Sequence, residues 1–301
     1  MGYAFFNQKG MVISMRYHVY LNKILSKILP NHIWKRYYYD HKYKEIKDTQ
    51  VGIYLIKNKH LKNIHKGHRC FILGNGPSLA EVDLSLLKDE FTFTVNDLFY
   101  KEDFKDLNTT YHLFADPYYF DNLEEVIDKL KSKASPLGIF LESNGYQQMM
   151  KHELNTKHPI YIYANGIEID DLVFTELDLC KFLPYFCTVV QNAVAISAYM
   201  GFSEIYLLGC DCTGILNYID RVKGQNMRHY AYLLPEEDQI RQQGIKISCE
   251  HMFFEWHHIF KSYRILREQL HKKQIKIINL TESGILDSLE KGRLEDVLQS
   301  K

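Results

Sequence analysis

A chain of 301 residues, 46% of them hydrophobic, can bury a full core, which excludes a disordered or fibrous polypeptide and predicts one large globular domain with additions. Its 37 basic and 37 acidic residues cancel, but unevenly: Met1 to Arg69 hold 14 of the basic and 3 of the acidic ones, so this leader is +11 and the remainder −11. No run of eighteen apolar residues occurs and no signal-peptide order opens the chain, so the expected location is the cytoplasm, a setting that also suits six cysteines without CxxC spacing.

From Met15 to Tyr39, Val19, Tyr20, Ile24, Ile28 and Leu29 recur near helical spacing, interrupted at Pro30, with Lys23, Lys27, Lys35 and Arg36 among them. Helices that lie on a membrane or on a partner have this pattern. The stretch Tyr37 to His68 is polar and basic and reads as a connecting arm, so residues 1–68 are expected to form a basic aromatic helical extension and 69–301 the main domain. Two readings of the charge stand side by side: the extension meets an anionic surface such as a membrane, or it packs on its own acidic domain.

After Arg69, short apolar runs alternate with amphipathic stretches. Strands are predicted at Cys70 to Leu73, Phe91 to Val95, Tyr111 to Ala115, Gly138 to Leu141, Ile160 to Tyr163, Glu204 to Leu208 and Ile275 to Asn279. Helices are predicted at Asn122 to Ser132, Thr188 to Gly201 and His251 to His271. Such alternation argues for an α/β, doubly wound, mainly parallel Rossmann-like sheet, with ligands at the carboxyl ends of its strands. The polar segment Cys212 to Cys249 breaks the rhythm and reads as an inserted lid, about 212–250.

The first predicted strand runs into Gly74, Asn75, Gly76, Pro77 and Ser78. Two glycines permit close approach by a ligand, Pro77 suits a first helical position, and Ser78 can cap the helix expected there, whose free amides would suit a phosphate. The turn is not the dinucleotide fingerprint, because Leu79 stands where the third glycine belongs, and it is not a P-loop, since no Lys follows with Ser or Thr. Other strand ends carry Asn96, Asp116, Gly209 and Asp211, which places carboxamides and carboxylates on one rim, where a base and ribose could be read.

These residues carry a resemblance. "ILGNGPSL", the Asn closing "VNDLFY", the Pro117 to Phe120 loop and "AISAYMGFSEIYLLGCD" resemble the bacterial sialyltransferases of lipooligosaccharide synthesis, over roughly Arg69 to Leu280. The resemblance implies a single Rossmann-like domain with a lid and a metal-independent, inverting transfer from a CMP-sugar to a glycan or glycolipid acceptor, with no cofactor. It implies nucleotide contacts from Asn75 and Asn96, and places Gly209 and Asp211 beside the cytidine ribose or phosphate. Where the family carries a Thr-Ser-Gly turn this chain has Thr188, Val189 and Val190, followed by Gln191 and Asn192; Asp116 replaces an Asn; and Tyr218, Tyr230 and Tyr232 are the tyrosines available in the lid.

The family's general base is a histidine, and an ungapped match of the last helix puts it at His257, with His251, His258 and His229 as rivals. Neighbouring His257 and His258 point about 100° apart, so at most one faces a cleft. His251, Glu255 and His258 share a helical face, but without HExxH spacing no metal site is expected. Arg221, Lys223, Arg228 and Arg241 in the lid suit a phosphate or an acidic sugar. The rival reading is a Mg²⁺-dependent phosphotransferase or pyrophosphokinase with the metal on Asp116 and Asp211, and a third is a noncatalytic nucleotide-binding scaffold. No nucleic-acid partner is expected, and an oligomer is compatible with the sequence.

Overall fold

The computed structural model describes residues 27–168, 176–216 and 248–300. Nine strands among these residues form one sheet, every described pair of which is parallel: β1 (Arg69–Leu73), β2 (Phe91–Val95), β3 (Tyr111–Phe114), β4 (Gly138–Glu142), β5 (Ile160–Glu168), β6 (Phe182–Tyr185), β7 (Glu204–Leu208), β8 (Lys276–Asn279) and β9 (Glu290–Lys291). Their order is β6-β5-β4-β3-β2-β1-β7-β8-β9. The described helices are α1 (Asn31–Lys47), α2 (Gln50–Lys57), α3 (Pro117–Asp121), α4 (Leu123–Lys131), α5 (Tyr146–Lys151), α6 (Leu154–Lys157), α7 (Val189–Tyr199), α8 (Cys249–Lys272) and α9 (Leu294–Gln299).

Both faces of the sheet are covered, which is why its central strands read as continuous apolar runs. One core joins Phe93, Leu113 and Tyr163 to Ile196 of α7 and Tyr263 and Leu266 of α8. The other joins Phe71, Leu73 and Phe114 to Leu55 of α2, Ile127 of α4 and Val297 of α9. The doubly wound α/β architecture expected from the alternation is the one observed. Thr92 and Thr94 survive inside it because each hydroxyl is engaged: Thr110 N–H donates to Thr92 Oγ1 at 3.1 Å, and Thr94 Oγ1 lies 2.7 Å from His112 Nδ1.

Three features depart from expectation. The helix anticipated after the glycine turn is instead two short 3₁₀ segments, Pro77–Glu81 and Leu84–Leu87. The buried leucines there, Leu79, Leu84 and Leu87, are spaced five and three apart, which no single helical stripe accommodates, and the Asp83 side chain accepts from Ser85 N–H to start a new turn. Strands β6 and β9 were not foreseen: β6 contains Pro184, tolerated because the strand lies at a sheet edge, and β9 is two residues long.

The third departure is the arm: the extension is helical as expected, with α1, α2 and a 3₁₀ turn, Asn58–Leu61, but its second half is packed into the domain and is not a mere connector. Leu55 is fully buried, Asn58 Nδ2 donates to the carbonyls of Ile162 (2.7 Å) and Leu179 (3.1 Å), and the amides of Asn63, His65 and Gly67 donate to carbonyls of Tyr199, Met200 and Gly201. A basic composition on the outer surface concealed a segment that packs on the sheet. No helix among the described residues is long and apolar enough to cross a membrane.

Candidate active site

From β1 the chain steps outward through β2 to β6, then returns to the other side of β1 as β7, so the switch point of the sheet lies between β1 and β7. The two turns that follow these strands meet there. Gly74 N–H donates to Leu208 O at 2.8 Å and Gly76 N–H to Gly209 O at 2.9 Å. Contact is too close for side chains: a Cβ on Gly74 would stand 2.5 Å from Gly209 O, one on Gly76 would collide with Asp211 Oδ2, and Gly209 has φ +62°. Both glycine turns are therefore read as one unit.

Asp211 anchors that unit. It is 3% exposed, Ser78 N–H donates to Oδ1 at 3.2 Å, and Ser78 Oγ donates to Oδ2 at 2.8 Å. Burial raises the carboxyl above its usual range, an effect the Ser78 donors partly offset. Ser78 thus braces Asp211 and does not cap a helix, and with no α-helix following the turn the expected phosphate seat at a helix start is absent among the described residues.

A cavity of about 730 Å³ opens above the strand ends. It is lined by Gly74, Asn75, Gly76, Pro77, Asn96, Asp116, Asn192, Gly209 and Asp211, all foreseen from the sequence, together with Glu142, Asn144, Asn165, Tyr185, Thr188, Trp256 and Tyr263 among others. Asn96 adopts φ +48° and its carbonyl lies 3.0 Å from His112 Nε2. Burial pushes His112 down to about 3, so its ring is neutral; Nε2–H donates to the Asn96 carbonyl and Nδ1 accepts from Thr94. Asp116 Oδ1 accepts from Tyr118 N–H at 2.9 Å, capping α3.

The carboxamide oxygens of Asn75, Asn96, Asn165 and Asn192 are buried, have no partner among the described residues, and belong to residues lining this one cavity. Buried acceptors of this kind are costly unless a ligand or water donates to them. Hydroxyl or amine donors carried into the cavity would relieve that cost.

No protein-family model and no curated protein matches the chain. Among solved structures it is similar to the sialyltransferase CstII from Campylobacter jejuni in complex with CMP-3FNeuAc, at 14% identity over 74% of this chain and 85% of that one, with a TM-score of 0.43. The same enzyme in complex with cytidine-5'-monophosphate matches at 14% identity over 75% and 87%, TM-score 0.43. An apo alpha-2,3-sialyltransferase from Campylobacter jejuni matches at 16% identity over 74% and 79%, also with a TM-score of 0.43.

Other residues singled out from the sequence are not brought to the cavity. Gln191 is fully buried, and its Nε2 donates to Ile259 O at 2.8 Å, tying α7 to α8. His251 is exposed and paired with Glu255 at 3.1 Å, and His257 is exposed beside the His258 ring. The cavity side of α8 is instead Trp256, Ile259 and Tyr263, spaced i, i+3 and i+7, so His257 points about 100° or more away from each of them. Tyr218, His229, Tyr230, Tyr232, Arg221, Lys223, Arg228 and Arg241 lie outside the described residues, as does the lid apart from its ends, where Cys212, Thr213 and Gly214 line the cavity. Among the described residues no three His, Cys, Asp or Glu side chains are grouped to hold a metal ion.

Sequence reasoning missed Glu142, Asn165, Trp256, Tyr263 and the supporting His112. Glu142 closes its strand just as Asn96 and Asp116 follow theirs, a signal present in "IFLES". Asn165 carried none, because β5 runs past Tyr163 to Glu168.

Proposed function

We propose that the chain is a glycosyltransferase that uses a CMP-sugar, its transferred group sialic acid or a related nonulosonate, and delivers it to a bacterial cell-surface glycan or glycolipid. The observation that carries this reading is the set of buried oxygens of Asn75, Asn96 and Asn192, without partners among the described residues, around the paired glycine turns at the switch point. A nucleoside offers the donors they lack: two ribose hydroxyls and, on cytosine, an exocyclic amine. The sequence resemblance of GNGPSL and the GFSEIYLLGCD stretch supports the same donor.

In an inverting transfer the acceptor hydroxyl gives its proton to a base as its oxygen bonds to the anomeric carbon, and CMP leaves with the electrons of the broken C–O bond. Of the histidines weighed for that base, His257, His251 and His258 stand on α8 outside the cavity lining, and His229 lies outside the described residues, so no base is assigned to the three on α8.

Calorimetric titration with CMP, CDP, UDP and ATP, with and without EDTA, tests the donor. Preferential CMP binding that is insensitive to chelator is expected; ATP or diphosphate binding that needs Mg²⁺ would transfer the site to a phosphotransferase. The basic leader, in the same reading, holds the enzyme on anionic lipid as a peripheral protein of the cytoplasmic face. A chain without residues 1–30 is expected to co-sediment less with phosphatidylserine-containing vesicles than the full chain, and equal sedimentation would refute that part.

A further inference from the structure

The far end of the cavity, at the carboxyl ends of β4 and β5, is not accounted for by a nucleotide at the switch point. Glu142 closes β4 three strands from β1, about 14 Å at the usual spacing of neighbouring strands. It is 6% exposed and lines the cavity. Ser143 Oγ donates to Oε1 at 2.7 Å and Asn144 N–H to Oε2 at 2.8 Å. A carboxylate has roughly four acceptor sites, so these two bonds leave about half of its capacity for a ligand.

Asn165 shares this end. Glu142 pairs with Tyr163 in the β4–β5 register, and Asn165, two residues on, stands on the same face of the sheet as Tyr163. Its Oδ1 is buried and without a partner among the described residues, and the residue lines the same cavity. Capping of the turn Ser143–Gly145 explains the Asn144 bond to Glu142, but not a second buried acceptor, unpartnered among the described residues, at the same end of the cavity.

We propose that Glu142 and Asn165 form a separate subsite for a neutral or amine-bearing sugar ring. Two acceptors of this kind match a pair of sugar hydroxyls, or a hydroxyl and an ammonium, which donate without bringing negative charge to a buried carboxylate. A ring bearing its own carboxylate meets repulsion there, so the subsite selects by charge. Its role as the acceptor position rests on the glycosyltransferase reading; the chemistry of the subsite does not.

The test compares three rings of one shape, methyl galactoside, galactosamine and galacturonic acid, by saturation-transfer NMR and titration on the full chain with CMP present. The first two are expected to bind and galacturonic acid to bind at least tenfold more weakly. Glu142→Gln should abolish that preference and Asn165→Ala should weaken methyl galactoside at least fivefold, with CMP affinity unchanged in both. If all three rings bind alike, if none binds, or if either folded variant behaves as wild type, the subsite is refuted. Should Glu142→Gln not fold, Asn165→Ala still decides. Ring selectivity without any CMP binding would overturn the donor reading and leave the subsite standing.

Discussion

Gly76→Ala should cost about 2–3 kcal/mol of stability and weaken CMP binding at least tenfold. The added methyl collides with Asp211 Oδ2 and would stand 2.6 Å from Gly209 O. Asp211 cannot simply rotate aside, because Ser78 holds both of its oxygens, and the Gly209 carbonyl belongs to the facing turn and already accepts from Gly76 N–H. Relief therefore requires the two turns to separate, which moves Asn75 on one and Cys210 on the other. Urea denaturation and CMP titration of the variant measure the two losses. Adding Asp211→Ala removes the side-chain half of the collision and leaves the backbone half, so the double variant should recover affinity only in part. A Gly76→Ala protein that is as stable and as tightly binding as wild type would mean the turns are not in contact.

His112→Gln should show a destabilisation that shrinks as pH falls below about 6.5, by up to about 1.4 kcal/mol per pH unit. The sign follows from burial, which holds the folded ring at about 3, whereas an unfolded histidine titrates near 6.5. Between those values the unfolded chain binds the extra proton, so the stability contributed by His112 is fully present above about 6.5 and is lost progressively as pH drops toward about 3. The glutamine variant has no such proton to take up, and the other titrating groups cancel in the difference between the two proteins. Urea midpoints at intervals from pH 8 to pH 4.5 give the curve. A gap that does not vary with pH would show that the folded ring titrates near 6.5, as the unfolded one does, and is not held neutral by burial. Because the same ring donates to the carbonyl of Asn96, weaker CMP binding by this variant is expected at every pH.

Covalent spacing alone made much of this molecule legible. Central strands such as β2 and β7 are buried on both faces, so Phe91–Val95 and Glu204–Leu208 stand out as apolar runs with the observed bounds. Polar residues directly after such runs, Asn75, Asn96, Asp116 and Asp211, could be assigned to one rim, because parallel strands all end on the same side. Helix α8 was equally visible as an element, yet its histidines drew attention away from Trp256, Ile259 and Tyr263. Which stripe of a helix faces a cavity depends on what packs beside it, and periodicity does not record that.

What the linear chain determined by itself, then, is the alternation of buried strands and covering helices and the chemistry available at the strand ends, since both depend on residues close together along the backbone. Only the tertiary structure decided that the glycine turns after β1 and β7 interlock around Asp211, that residues 50–68 pack on the sheet, and that Glu142 and Asn165 share one end of the cavity. Those relations join residues between about 20 and more than 130 positions apart, through strand order, register and close packing, which local propensity cannot encode.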